Sequence, residues 1–232
     1  MIKKVSIWNP TARPLSNWKR QRLVRANNFP ISYAITSREI SKSQSDRLVR
    51  ALKLLPERVT SLLSSKNNTI LICKKLRDVF KYLPSSWEFS VGIHDPSNHT
   101  IGVAEEYLDM FSRQITKDTS PEKSLCHEIG HAFDFELDRP SEKGEFMELV
   151  KLDAYDPTKI NKIGRFKVQS TEPKEIFAEI FADIMLVRNA YITQSDLLDS
   201  FPQAAKFIED LIDEKSSMQH DVMTKQLLAW LP

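Results

Sequence analysis

The sequence predicts an α+β fold: a small mixed sheet with an edge strand beside a histidine-bearing helix, then a helical C-terminal part. Three observations predict it. Short β-rich runs fall between residues 69 and 103. Two strong helical patterns follow, over residues 121–134 and 172–187. The first of these carries His127-Glu128-Ile129-Gly130-His131, an H-E-x-x-H spacing.

The 232 residues fit one domain, or one domain with an arm. Residues 1–45 read as a basic arm or subdomain, and residues 46–232 as the main domain. Lys3, Lys4, Arg13, Lys19, Arg20, Arg22 and Arg25 face no acid within the first 25 residues. The whole chain has a net charge of only +2, so the remainder is net acidic and invites no polyanion. Lys3 to Trp8 suits a short strand, and Pro10, Pro14 and Pro30 interrupt regular structure. Trp8 and Trp18 either anchor the arm to the body or stack on nucleic-acid bases. No nucleic-acid-binding motif accompanies them, so a nucleic-acid partner is expected only through this arm.

Ser45 to Leu55 places Leu48, Ala51, Leu52 and Leu55 on one helical side. Pro56 ends that helix and opens the next, through Val59, Leu62 and Leu63. Thr69 to Cys73 is a buried strand, and Leu76 to Leu83 a short helix closed by Pro84. Trp87, Phe89, Val91 and Ile93 alternate with smaller or polar residues, the pattern of a half-buried strand. Asp95-Pro96-Ser97-Asn98 is a turn. Thr100, Ile101, Gly102 and Val103 return from it as a second strand. We assign that strand as the edge that pairs with an extended peptide, with an ordinary meander strand as the equal alternative.

Ser120 suits an N-cap and Pro121 the first helical position. Cys126, Ile129 and Phe133 recur at helical spacing, with Leu125 and Ala132 beside them, so that face is buried. His127 and His131 lie on another face, one turn apart. Two imidazoles so placed grip one Zn²⁺, with Glu128 in reach of the water as general base. With five histidines in the chain, a chance match has a probability on the order of one percent.

Glu142 to Leu152 reads as a helix, followed by a linker with Pro157 and Gly164. Glu172, Glu175, Glu179 and Asp183 then form one acidic stripe beside Ile176, Phe177, Ile180, Phe181 and Ile184. A solvated face is the ordinary meaning of such a stripe. Next to so apolar a flank, though, unpaired carboxylates are costly, and a metal with its histidines relieves that cost. Pro173 makes Glu172 a cap residue, which leaves Glu175 and Glu179: one binds the metal, and the other hydrogen-bonds a ligand histidine. Helices near Pro202–Leu211 and Val222–Trp230 complete the chain.

Cys73 and Cys126 are too few for a disulfide framework and read as buried thiols. No run reaches the roughly 18 apolar residues of a membrane span, and no secretory h-region opens the chain. As written, a cytoplasmic protein with no membrane partner is expected, with export by another route left open.

His127-Glu128-Ile129-Gly130-His131, followed 44 residues after His131 by Glu175-Ile176-Phe177-Ala178-Glu179, resembles the catalytic domain of anthrax lethal factor and the Pro-Pro endopeptidases. The resemblance spans residues 45–215, with motif support at the two helices. It implies a gluzincin-type zinc metallopeptidase domain with one Zn²⁺ per chain. His127, His131 and Glu175 would be the ligands, Glu128 the base, and Glu179 the residue behind a ligand histidine. An edge strand would bind a peptide or protein substrate. The family places an oxyanion-stabilising tyrosine seven residues before the third ligand, where this chain has Val168. Tyr155 by another linker path, or His220 from the C-terminal helices, are the substitutes. If neither serves, a zinc-stabilised binding or regulatory module on the same scaffold is the alternative.

Overall fold

The computed structural model describes residues 31–36, 39–154 and 172–213. The fold is α+β, with a four-stranded mixed sheet and most of the helical mass on one of its faces.

Strand β1 (Ser32–Ile35) leads into helix α1 (Lys42–Lys53), where Ser41 Oγ accepts the Gln44 N–H as a cap. Helix α2 (Glu57–Ser65) follows Pro56, and β2 (Thr69–Cys73) runs parallel to β1. The expected division at residue 45 falls inside α1, and β1 belongs to the central sheet. Residues 1–30, with both arm tryptophans, lie outside the described residues.

Helix α3 is short (Leu76–Val79). The alternating stretch from Trp87 is not a strand at its start. Residues Ser85–Phe89 form a 3-10 turn after Pro84, with the Trp87 N–H bonded to the Pro84 carbonyl. Strand β3 covers only Gly92–Asp95 and returns through the expected turn into β4 (Thr100–Ala104). Strands β5 (Glu106–Leu108) and β6 (Ile115–Lys117) form a separate hairpin that the sequence reading missed.

The sheet order is β1-β2-β4-β3. This corrects the assignment of Thr100, Ile101, Gly102 and Val103 as an edge. All of β4 is buried, with β2 parallel on one side and β3 antiparallel on the other. The edge beside the histidine helix is β3.

Alternation along the strands divides the core. Ile70, Ile72, Ile101 and Val103 face the main helices, and Leu71, Cys73, Ile93 and Ala104 face α3 and the 3-10 turn. The main layer is built on α4 (Pro121–Glu136), which packs against α6 (Pro173–Arg188). Arg47 in α1 holds Glu122 in the first turn of α4 through Nε–Oε1 at 2.7 Å and Nη2–Oε2 at 2.5 Å. Behind α6 lie α5 (Gly144–Ala154), α7 (Asp196–Ser200) and α8 (Pro202–Asp213). Asp153 of α5 accepts the N–H groups of Gln203 and Ala204 and so caps α8. No described helix is long and apolar enough to cross a membrane.

Candidate metal centre

Helices α4 and α6 run past each other in opposite directions. Each turn of one therefore meets a turn of the other. Residues 123, 127 and 131 on α4 face residues 183, 179 and 175 on α6. The helical repeat sets both rows, because every fourth residue returns to the same face.

At one end of this ladder three donor atoms converge. His127 Nε2 and His131 Nε2 are 3.1 Å apart. Glu175 Oε2 is 3.4 Å from the first and 3.5 Å from the second. A tetrahedral ion with bonds of roughly 2.0–2.1 Å holds its ligands about 3.3 Å apart. The three separations bracket that value. His127, His131 and Glu175 are the group among the described residues that could hold a metal ion. The donor set, two imidazoles and a carboxylate, suits zinc and leaves a fourth vertex.

The electrostatics follow from this crowding. Burial opposes the charge on Glu175, yet its contacts with His127 and His131 hold the carboxyl well below the usual range. Burial likewise disfavours protonation of His127, but Glu175, Glu128 and Glu179 outweigh it and raise its pKa.

Glu179 lies one turn further along α6. Its Oε1 is 3.4 Å from His127 Nδ1, and its Oε2 is 3.2 Å from Lys123 Nζ. Of the two acids left open by periodicity, Glu175 meets both imidazoles at their Nε2 atoms. Glu179 approaches only the back of one ring.

Glu128 points away from α6, toward the sheet edge. Burial raises its carboxyl pKa, and the His94 backbone N–H bonds it. Its approach to β3 is close: a Cβ on Gly92 would lie 2.5 Å from Glu128 Cγ and Oε1. Glycine at 92 is thus what lets the edge strand touch the carboxylate.

His94 escaped the sequence reading. Its ring packs edge-on against Phe135 at 5.7 Å, and its Nε2 is buried without a partner. Burial and the nearby His131 push its pKa down to about 3, so this imidazole is neutral. A lone histidine on a strand carries no spacing signal, and its neighbours come from distant sequence.

A structure of the Pro-Pro endopeptidase (PPEP-2) from Paenibacillus alvei is similar to this chain. The TM-score is 0.51 at 20% sequence identity, over 77% of this chain and 96% of that one. At that identity the likeness is one of fold. No family model matches the sequence, and no curated protein matches it.

Tyr155, Val168 and His220 lie outside the described residues. Two cavities of about 460 and 420 Å³ lie away from the three ligand candidates, one beside the β5–β6 hairpin and one beside Lys123 and Asp183.

Proposed function

We propose that this chain is a zinc-dependent endopeptidase of the lethal-factor-like, gluzincin type. The observation that carries the reading is the convergence of His127 Nε2, His131 Nε2 and Glu175 Oε2 within 3.1–3.5 Å of one another. The likeness in fold to a Pro-Pro endopeptidase supports it.

His127, His131 and Glu175 hold the ion. When bound, zinc supplies positive charge that polarises a carbonyl and lowers the pKa of water to roughly 7. Glu128 takes a proton from the attacking water and passes it to the leaving amine. Burial raises its carboxyl pKa, the direction that strengthens a proton acceptor. Strand β3 supports substrate placement. No strand among the described residues pairs with its outer edge, and that edge runs beside α4. An extended peptide added there sets its scissile bond near Glu128. Tyr155 remains the candidate for stabilising the oxyanion.

The test is a peptide-library digest of the zinc-loaded protein and of Glu128→Gln. The expected result is cleavage by the first and a loss of about 10²–10⁴-fold in the second, with zinc retained. Equal cleavage by both overturns the role of Glu128. Zinc binding with no cleavage by either favours the non-catalytic module.

A further inference from the structure

The ladder between α4 and α6 continues one turn beyond the proposed metal ligands. Lys123 stands four residues before His127 on the same face of α4. Its Nζ donates to Asp183 Oδ1 at 2.9 Å and lies 3.2 Å from Glu179 Oε2. Asp183 is buried, and its second oxygen accepts the Ser195 hydroxyl at 2.6 Å. Glu179 divides its oxygens in the same way, one toward Lys123 and one toward His127 Nδ1. The result is a chain of contacts from Ser195 through Asp183, Lys123 and Glu179 to the back of the His127 ring.

We infer that Lys123 is a positioning residue for the metal site: anchored by Asp183 and Ser195, it holds Glu179 where that carboxylate fixes the ring of His127. The inference rests on the proposed role of His127 as a ligand.

The physical need is specific. A ligating imidazole must present an unprotonated Nε2, so its proton sits on Nδ1 and needs an acceptor. His127 Nδ1 is buried and makes no hydrogen bond, and Glu179 Oε1 stands 3.4 Å from it. Glu179 is thus the carboxylate placed to accept that proton, but a glutamate on a helix face has several rotamers. Lys123 ties one oxygen down and leaves the other aimed at Nδ1. Asp183 in turn fixes Lys123, whose four-carbon stem otherwise carries its ammonium freely. Lys123 is partly exposed but Asp183 is buried, so a purely structural role for Lys123 would lower folding stability and leave the metal affinity of the folded chain untouched.

The experiment compares zinc dissociation constants, by chelator competition, for the full chain and its Lys123→Met, Lys123→Arg and Glu179→Gln variants. It includes the Lys123→Met, Glu179→Gln double variant. The visible spectrum of the cobalt-loaded forms and the melting temperature without metal are recorded alongside. Lys123→Met is expected to bind zinc about 10–100-fold more weakly, with an altered cobalt spectrum. Its metal-free melting temperature records separately the cost of leaving the buried Asp183 carboxylate without its lysine. Lys123→Arg should recover most of the affinity. In the Glu179→Gln background, Lys123→Met should add little, because the two act in one chain. Lys123→Gln serves the same comparison if the methionine variant does not fold.

Unchanged zinc affinity in Lys123→Met, or a full additional loss in the double variant, overturns the positioning role. If the parent chain itself binds no zinc, the reading of the site falls and this inference with it. Normal binding by both parent and variant removes the inference alone.

Discussion

Gly130 of α4 lies directly against the backbone of Ala178 in α6: a Cβ at residue 130 would come within 2.9 Å of Ala178 Cα. Each residue immediately precedes a side chain of the proposed site, His131 on one helix and Glu179 on the other. The small residues let the helices approach closely enough for Glu175 Oε2 to lie 3.5 Å from His131 Nε2. Their packing thus sets the size of the proposed ion site.

Gly130→Ala should therefore cost more than it gains. Alanine is about 1 kcal/mol better than glycine inside a helix. The obstacle at 130, however, is backbone, with Ala178 Cα at 2.9 Å and its carbonyl oxygen at 3.2 Å. Overpacking of this kind costs about 1–3 kcal/mol. A net loss of stability is expected in thermal unfolding, together with weaker zinc binding. An Ile129→Val change, which trims the core without moving the helices apart, should weaken zinc far less.

Gly92→Ala should separate catalysis from metal binding. The added methyl would meet Glu128 Cγ and Oε1 at 2.5 Å, and no metal-ligand candidate stands in its way. Displacing the carboxylate by an ångström costs on the order of 10²-fold in rate. Cleavage should fall by about that factor while zinc stoichiometry stays unchanged. Metal analysis and a peptide assay on the same preparation check it.

Glu105 gives a pH signature away from the metal site. It is buried, and burial opposes its charge. The Ser41 N–H at 3.0 Å, Lys74 at 3.1 Å and Lys117 at 3.3 Å nevertheless pull its pKa down, from 4.5 to about 2. A carboxyl whose folded pKa lies below its unfolded one contributes stability above the unfolded value. That contribution is lost as pH falls from 4.5 towards 2. Glu105→Gln should thus destabilise the chain at neutral pH by about 1–3 kcal/mol. The difference from the parent chain should shrink as denaturation is followed into acid.

The two cysteines should resist modification. Cys126 is buried on α4, and burial pushes its thiol up to about 12. Cys73 is buried in the sheet, and its thiol is also raised. Reaction with a thiol reagent is expected only at the rate of unfolding. Rapid labelling of the folded chain would show that α4 or β2 is not packed as described.

The helical layer was legible because its signals are local. Pro121 and Pro173 mark helix starts, and the spacings of His127, His131, Glu175 and Glu179 place each pair on one face. The sheet was less legible because its decisive facts are not local. The turn at Asp95–Asn98 announces a hairpin, but nothing in the sequence says which of its two strands continues the sheet. The fully buried β4 was mistaken for the exposed edge. From Trp87 to Ile93 a period of two persisted across a 3-10 turn and a strand, so alternation alone could not separate them. His94 reached Glu128 only through the packing of β3 on α4, which no spacing encodes.

Zinc titration of the metal-free chain and of Glu175→Ala is the most direct test of the site. Binding of one zinc per chain is expected for the parent. Loss of the carboxylate should weaken it by more than about 100-fold, beyond the range of a change behind the ligands. Absence of stoichiometric zinc in the parent chain, or equal affinity in Glu175→Ala, would contradict the convergence of these three side chains on one ion.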